Sequence, residues 1–443
     1  MDLVAKIKEL TKNLEQTAIA RRRDFHRYAE TGWTEFRTAS LVADELNRLG
    51  YQVASGDEVI DGAQMMGVPS AADLELHKKR ALEQGGKAAW IAKMEGGKTG
   101  IVGILQFANP GPTVALRFDL DANDVSESTA KEHRPNQAQF ASVNNGAMHA
   151  CGHDGHMAVG LAVACILSQL KENLSGRIKL IFQPAEEGVR GAKAMVAKGI
   201  VDDVDYLLGM HFGLQLRKTG QAACNVTGFL ATSKYDAMFT GLPAHAGAAP
   251  EAGRNALLAA AAAALNLHAI PRHSEGISRI NVGIMQAGTG RNVIAPNAVI
   301  KLETRGATSR INQFMADEAS RIIHSAAAMY GVDVATKEVG GAAGCNSSSA
   351  LAEKLVKLAK EATIFDEIVP ECHFGASEDC SYFMERVQEH GGQAAYILVG
   401  ADLAAGHHDS LFDFDEQALS KAIRFLSTAA AELLSPGNVE QNK

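Results

Sequence analysis

Hydrophobic positions along this chain fall into two textures. Short runs rich in Val, Ile and Leu, at Ile101 to Phe107, Val114 to Phe118, Ile178 to Phe182, Tyr206 to Met210 and Ala395 to Val399, read as buried strands. Segments with helical spacing lie between them, among them Ala39 to Leu49 and His156 to Leu174. Strands alternating with helices predict an α/β domain with a mostly parallel, helix-flanked sheet. From Gly228 to Gly341 the pattern changes. Residues alternate in Thr232 to Thr240, an alanine-rich helix follows at Asn255 to His268, two strand-like stretches come at Ile280 to Gln286 and Ala298 to Thr304, and a helix runs from Ile311 to Met329. That order predicts a smaller α+β domain inserted into the first, with linkers near Thr227–Gly228 and Gly340–Gly344, where small residues gather. The expected division is therefore 1–227 and 342–443 for the main domain and 228–341 for the insert. Within the first part, Ser55 to Gly97 is polar, helical around Ala71 to Gln84, and fits no sheet unit; it reads as a cap or an interaction element.

Composition narrows the picture. A chain of 443 residues, 46% hydrophobic and 21% charged, is soluble globular material too long for one core. No apolar run is long enough to span a bilayer, so a membrane role is not expected. Residues 1–30 are charged and amphipathic, unlike a secretory signal. Six cysteines spread over more than 200 positions form no disulfide framework and point to a reducing, cytoplasmic setting. A net charge of −8 argues against nucleic acid as partner, and Arg21-Arg-Arg23 reads as a solvated helix face.

In open sheets ligands bind beyond the carboxyl ends of the strands. The loop Met148-His-Ala-Cys-Gly-His-Asp-Gly-His156 carries Cys151 and His153, a thiol and an imidazole of the kind that binds zinc and other transition metals, with Gly152 and Gly155 giving the backbone freedom to bring both to one centre. Taken alone, a buried thiol beside solvent-facing histidines would look the same. The strand ends add Asp119-Leu-Asp121, Glu186-Glu187, His211 and His407-His408-Asp409, the distribution expected if the strands converge on one metal centre. Two adjacent carboxylates in a dry site repel unless cations offset them; one can ligate while the other takes a proton from water. The alternative for Glu186-Glu187 is an acidic helix start. The chain has no Gly-X-Ser-X-Gly elbow and no His-Glu-X-X-His helix, and Gly288-Thr-Gly-Arg-Asn292 fits no phosphate loop, so serine-type hydrolysis, zincin-type helices and phosphoryl transfer are disfavoured.

The ordered stretches His149-Ala-Cys-Gly-His-Asp-Gly-His, Phe182-Gln-Pro-Ala-Glu-Glu-Gly, Gly209-Met-His211, Ala244-His-Ala-Gly-Ala-Ala-Pro-Glu-Ala-Gly-Arg-Asn and Ser377-Glu-Asp379 resemble the M20 metallopeptidase family in its amidohydrolase branch, over residues 22–416. The resemblance implies two divalent metal ions per active site, manganese or zinc, held by Cys151, His153, Glu187, His211 and His408, with Cys151 as the bridging donor and His407 as the alternative to His408. It makes Glu186 the general base and gives Asp121 an orienting role. It makes the insert a dimerisation and lid domain, from which His245 holds the scissile carbonyl oxygen while Asn292 and Arg305 contact substrate. His245 as a loop cap and Arg305 as an exposed sheet charge are the competing readings. The implied reaction is cleavage of an amide between an aromatic acyl group and an amino acid, by a homodimer or a heteromer with a related B-type subunit. The alternatives are a sibling enzyme for other N-acyl or indole-acyl amino acids and a non-catalytic subunit.

Overall fold

The computed structural model describes residues 3–435; 1–2 and 436–443, the ends of the expected main domain, lie outside the described residues. The chain divides into two compact units. One runs to Thr227, takes Asn346–Phe374 and resumes at Tyr382; the other holds Gly228–Cys345 and Gly375–Ser381.

The larger unit is built on an eight-stranded mixed sheet in the order Gln52–Ser55, Ile101–Gln106, Ser175–Gln183, Asn109–Asp119, Tyr206–Phe212, Gln393–Val399, Gln221–Ala223, Glu367–Val369. Four central strands pair parallel, with Val114 opposite both Ile178 and Tyr206, and Gln393 opposite Tyr206. Antiparallel pairs flank them on both sides. The central strands read as continuous apolar runs because a parallel sheet is covered on both faces. Helix His153–Gln169 packs so closely on the sheet that a Cβ at Gly160 would lie 2.8 Å from the rings of Phe118 and Phe182.

That helix begins three residues before the expected His156. Gly152, at φ 87°, turns the chain into it, so His153 is its first residue. Helix Leu3–Arg27 buries Ile7, Ala18 and Phe25, but also Arg22 and His26, so the expected solvated face at Arg21-Arg-Arg23 is corrected: Arg22 is fully buried, paired with Asp154, Asp413 and Glu416. Helix Ala71–Glu83, inside the Ser55–Gly97 segment, starts at Ser70, whose hydroxyl accepts from Asp73 N at 3.2 Å.

The smaller unit is a four-stranded antiparallel sheet ordered Asp333–Ala342, Ala231–Thr240, Asn297–Gly306, Ser278–Ala287. Helices Ala256–Leu267 and Ser309–Tyr330 share a core with it, including Phe239, Ala260, Ile300, Met315 and Ile323. Asn255 and Thr308 cap the two helices by accepting from Leu258 N and Ile311 N. Gly340 and Gly341, expected in a linker, instead pair with Lys234 and Ser233 beyond a bulge, since glycine is tolerated in a strand where the ladder is irregular.

Candidate metal centre

The parallel strands end on one edge of the sheet, and their last residues meet the Cys151 loop there. Cys151, His153 and His211 place one donor atom each within 4.8 Å of one another; so do Cys151, Glu187 and His408, and so do His153, Glu186 and Glu187. Two of these sets share the Cys151 sulfur. Cys151, His153 and His211 are buried, while the His408 side chain is 57% exposed, which opens the site on one side.

Hydrogen bonds at the far nitrogens prepare both buried imidazoles as ligands. His211 Nδ1 donates to the Phe212 carbonyl at 2.7 Å, leaving the Nε2 lone pair facing Cys151 Sγ at 3.4 Å. His153 Nδ1 donates to the Asp121 carbonyl at 2.8 Å. Its Nε2 is buried without a hydrogen-bond partner, and so is Glu187 Oε1, which has His408 Nε2 only at 3.5 Å. A buried imidazole nitrogen and a carboxylate oxygen left without hydrogen bonds cost free energy unless a cation meets them, so this donor set fits divalent metal ions.

The charges agree. Burial pushes the Cys151 thiol up, and Glu187 adds to the effect. Burial pulls His153 down, but Asp119 and its other partners outweigh it and hold the ring well above its usual value. His408 is raised to about 10 by Cys151 and Glu187. His211 is held well below the usual range by burial and by His156 and His407, so it stays neutral. The carboxylates and thiol thus draw protons onto His153 and His408 where cations would otherwise sit.

Both carboxylate oxygens of the buried Asp121 accept backbone N–H groups, from Glu186 and from Glu187, each at 2.9 Å. Asp121 belongs to none of these donor sets and fixes the turn that carries the two glutamates. Glu186 keeps Oε2 3.9 Å from His153 Nε2. His407 Nε2 donates to the Phe212 carbonyl at 3.1 Å, and burial holds the ring down at about 4; His408, not His407, joins the donor sets.

The remaining expected residues lie in the smaller unit. His245 is exposed, and its Nδ1 accepts from Gly247 N and Ala248 N, both at 3.2 Å, which leaves Nε2–H as a donor. The Asn292 carbonyl accepts from Ala246 N at 3.0 Å, tying the two segments together. Arg305 pairs with Glu303 through Nε at 3.0 Å and Nη2 at 3.2 Å, and lines a cavity of about 310 Å³ with Arg279, its neighbour on the adjacent strand.

Three residues of the site were not singled out in the sequence. Glu35 is fully buried and accepts from Ala185 N at 2.8 Å and Thr99 Oγ1 at 2.7 Å. Asn123 Oδ1 accepts from Ala150 N at 3.0 Å and steadies the Cys151 loop. His156 donates from Nδ1 to Asp119 at 2.5 Å and accepts from Phe212 N at 3.2 Å, so it is a structural histidine despite its place in the motif. His156 falls within the Met148–His156 run; no local signal marks Glu35 or Asn123, whose partners are distant in the chain.

Fold, donor set and relatives together define a metal-dependent amidohydrolase. The profile of peptidase family M20/M25/M40 matches residues 115–432, and the chain belongs to that family. It is 52% identical over 410 residues to the A-type subunit of p-aminobenzoyl-glutamate hydrolase from Escherichia coli (strain K12), covering 92% of this chain and 94% of that one. It is 50% identical to the indole-3-acetyl-aspartic acid hydrolase of Enterobacter agglomerans over the same shares of the two chains. Among solved structures, the aminobenzoyl-glutamate utilization protein from Klebsiella pneumoniae superposes with a TM-score of 0.82 at 42% identity, over 96% of this chain and 98% of that one.

Proposed function

We propose that this protein hydrolyses the amide between an aromatic acyl group and an acidic amino acid, with p-aminobenzoyl-glutamate as substrate and p-aminobenzoate and glutamate as products. The observation that carries the reading is the pair of donor sets sharing Cys151, with Glu186 beside them on the turn that also carries Glu187. In this reading Cys151, His153, Glu187, His211 and His408 hold two divalent ions. Such ions supply Lewis-acid polarisation of the scissile carbonyl and a lowered pKa for water. A thiolate donor favours zinc by softness, whereas the carboxylate and imidazoles also suit manganese.

Glu186 takes the proton of the attacking water and delivers it to the leaving nitrogen. His245 donates from Nε2 to the developing oxyanion, and Arg305 with Asn292 engages a substrate carboxylate. The likeness to the indole-3-acetyl-aspartic acid hydrolase supports a second reading, in which the acyl group is indolic and the amino acid aspartate. Both relatives act on an acidic amino acid joined to an aromatic acid, so the amino acid end is the shared feature.

The smaller domain is a natural place for association, as a homodimer or with a related B-type subunit. Leu257, Leu258 and Leu265 are exposed on its first helix, and Ile284 and Met285 are exposed on an edge strand. All six cysteines are free thiols, which fits the cytoplasm, and no helix of the described residues is long and apolar enough to cross a membrane.

The test is metal content per chain followed by release of p-aminobenzoate from p-aminobenzoyl-glutamate, with indole-3-acetyl-aspartate in parallel. Turnover of the first with about two ions bound supports the reading. Absence of amide cleavage with zinc, with manganese and with a B-type partner added would overturn it.

A further inference from the structure

The turn that carries Glu186 and Glu187 is strained. Ala185 has φ 50°, Gly188 84° and Val189 58°, so three residues in five lie in the left-handed region, one of them β-branched. A non-glycine residue held there is strained and persists only where its surroundings enforce it. Glu35 and Asp121 enforce the first half, through the N–H groups of Ala185, Glu186 and Glu187. The second half has a different support.

Arg190 Nε donates to the Glu187 carbonyl at 2.9 Å, and Arg190 Nη1 donates to the Gly67 carbonyl at 3.2 Å. Gly67 lies in the Ser55–Gly97 segment, for which the reaction has no role so far. The guanidinium is seated among three glycines. A Cβ at Gly67 would lie 2.9 Å from Arg190 Cδ, one at Gly188 3.2 Å from Nε, and one at Gly32 would overlap Nη2. The Gly67 side is itself fixed. The neighbouring Met66 carbonyl accepts from Nε1 of the fully buried Trp33 at 2.7 Å, and Asp61 N donates to the Ala194 carbonyl at 2.9 Å, in the helix that follows the turn.

We infer that Arg190 is a positioning residue, and that the Ser55–Gly97 segment, through Gly67, is the arm on which it clamps the Glu186–Glu187 turn. The inference rests on the roles proposed above for the two glutamates. An N–H fork to two carbonyls holds both distance and direction, which a lysine in its place cannot reproduce. The segment thereby acts on the ligand Glu187 and the base Glu186 without touching substrate.

The test compares the full-length wild type with Arg190→Ala, Arg190→Lys and Gly67→Ala. Affinity for zinc and manganese is titrated into metal-free protein, backbone amide exchange is followed over residues 185–191, and kcat and KM are measured on p-aminobenzoyl-glutamate. Arg190→Ala should weaken affinity for at least one ion and lower kcat by about 10- to 100-fold, with KM nearly unchanged and faster exchange in the turn before metal is added. Guanidinium at non-denaturing concentration should refill the cavity and restore part of the metal affinity, and Arg190→Lys should fall between. Should Arg190→Ala fail to fold, Gly67→Ala, which keeps the arginine but sets a Cβ whose nearest contacts are its Cδ and guanidinium, decides: the same losses support the clamp. Wild-type metal affinity and exchange in the folded variant, or a loss of thermal stability with those two unchanged, overturns it. A wild type that cleaves no acyl amino acid would instead count against the proposed function.

Discussion

Cys151 Sγ lies 3.4 Å from His211 Nε2, and the same sulfur belongs to a second donor set with Glu187 and His408. One thiol thus stands where two groups of ligands meet, each brought by a different strand end. With two ions held as proposed, a donor so placed would serve both, and its replacement should be more damaging than that of a histidine belonging to one set.

Cys151→Ser keeps the size and removes the soft thiolate. The expected result is loss of bound metal, with fewer than two ions per chain after dialysis, and turnover reduced about 10³-fold or more if both ions polarise the substrate. His407→Ala, which removes a ring bonded to the Phe212 carbonyl, should keep its metal; His408→Ala should not. Elemental analysis of the three variants checks both statements, and equal metal retention in the two histidine variants would remove His408 from the ligand set.

Glu186→Gln should bind metal as the wild type does and lose about 10² to 10⁴ in kcat, the share of a general base. Metal content and single-turnover hydrolysis, measured on the same preparation, separate this from a ligand defect. Unchanged kcat would take the proton-transfer role away from Glu186.

Asp121→Asn leaves one acceptor oxygen for two backbone N–H groups. One of the amides of Glu186 and Glu187 would then face an amide NH₂, and the turn would shift by the width of that clash. Metal affinity or kcat should fall about 10- to 100-fold, the range for a group that orients ligands. Metal titration and steady-state kinetics of the variant measure the two effects.

Glu35 carries a pH signature. Burial, reinforced by Asp121, raises its carboxyl from the usual 4.5 to about 8. Between those values the folded protein holds a proton that the unfolded chain has released, so the contribution is complete below about pH 4.5 and is lost as pH rises toward 8. Unfolding free energies of metal-free wild type and Glu35→Gln, the isostere of the protonated carboxyl, should lie close together at low pH and diverge as pH rises, the wild type falling below the variant. Parallel curves would mean that Glu35 is ionised throughout.

Arg22 is buried among Asp154 at 2.7 Å, Asp413 at 2.8 Å and Glu416 at 3.3 Å, and Asp154 stands in the first turn of helix His153–Gln169, next to His153. Arg22→Met leaves those carboxylates without their central cation and should destabilise the protein by about 3–5 kcal/mol, the cost of breaking a buried pair. Chemical denaturation gives the number. A change below about 1 kcal/mol would mean that Arg23, Arg134 and His26 carry the charge balance alone.

The apolar runs marked the central strands because a covered parallel sheet needs continuous hydrophobic sequence, as in Val114 to Phe118 and Ala395 to Val399. Cys151, His153, Glu186, Glu187, His211 and His408 stood out as candidate donors because such groups collect in the motif loop and at strand ends, and the structure brings their donor atoms together. The burial of Arg22 and His26 on helix Leu3–Arg27 was not legible, because they are neutralised by Asp154, Glu127, Asp413 and Glu416 from distant positions. The boundary at Gly340–Gly341 was misread because glycine marks a linker in sequence and only its neighbours turn it into strand.

Local chemistry in the sequence therefore determined the kinds of groups present and the elements that carry them. Which nitrogen of His153 and His211 is free to ligate, which of two adjacent histidines joins the donors, and what holds the strained glutamate turn were decided by tertiary structure alone. Each depends on partners such as the Phe212 and Asp121 carbonyls, Glu35 and Gly67, and a hydrogen bond between residues far apart in the chain leaves no periodicity or spacing to be read in advance.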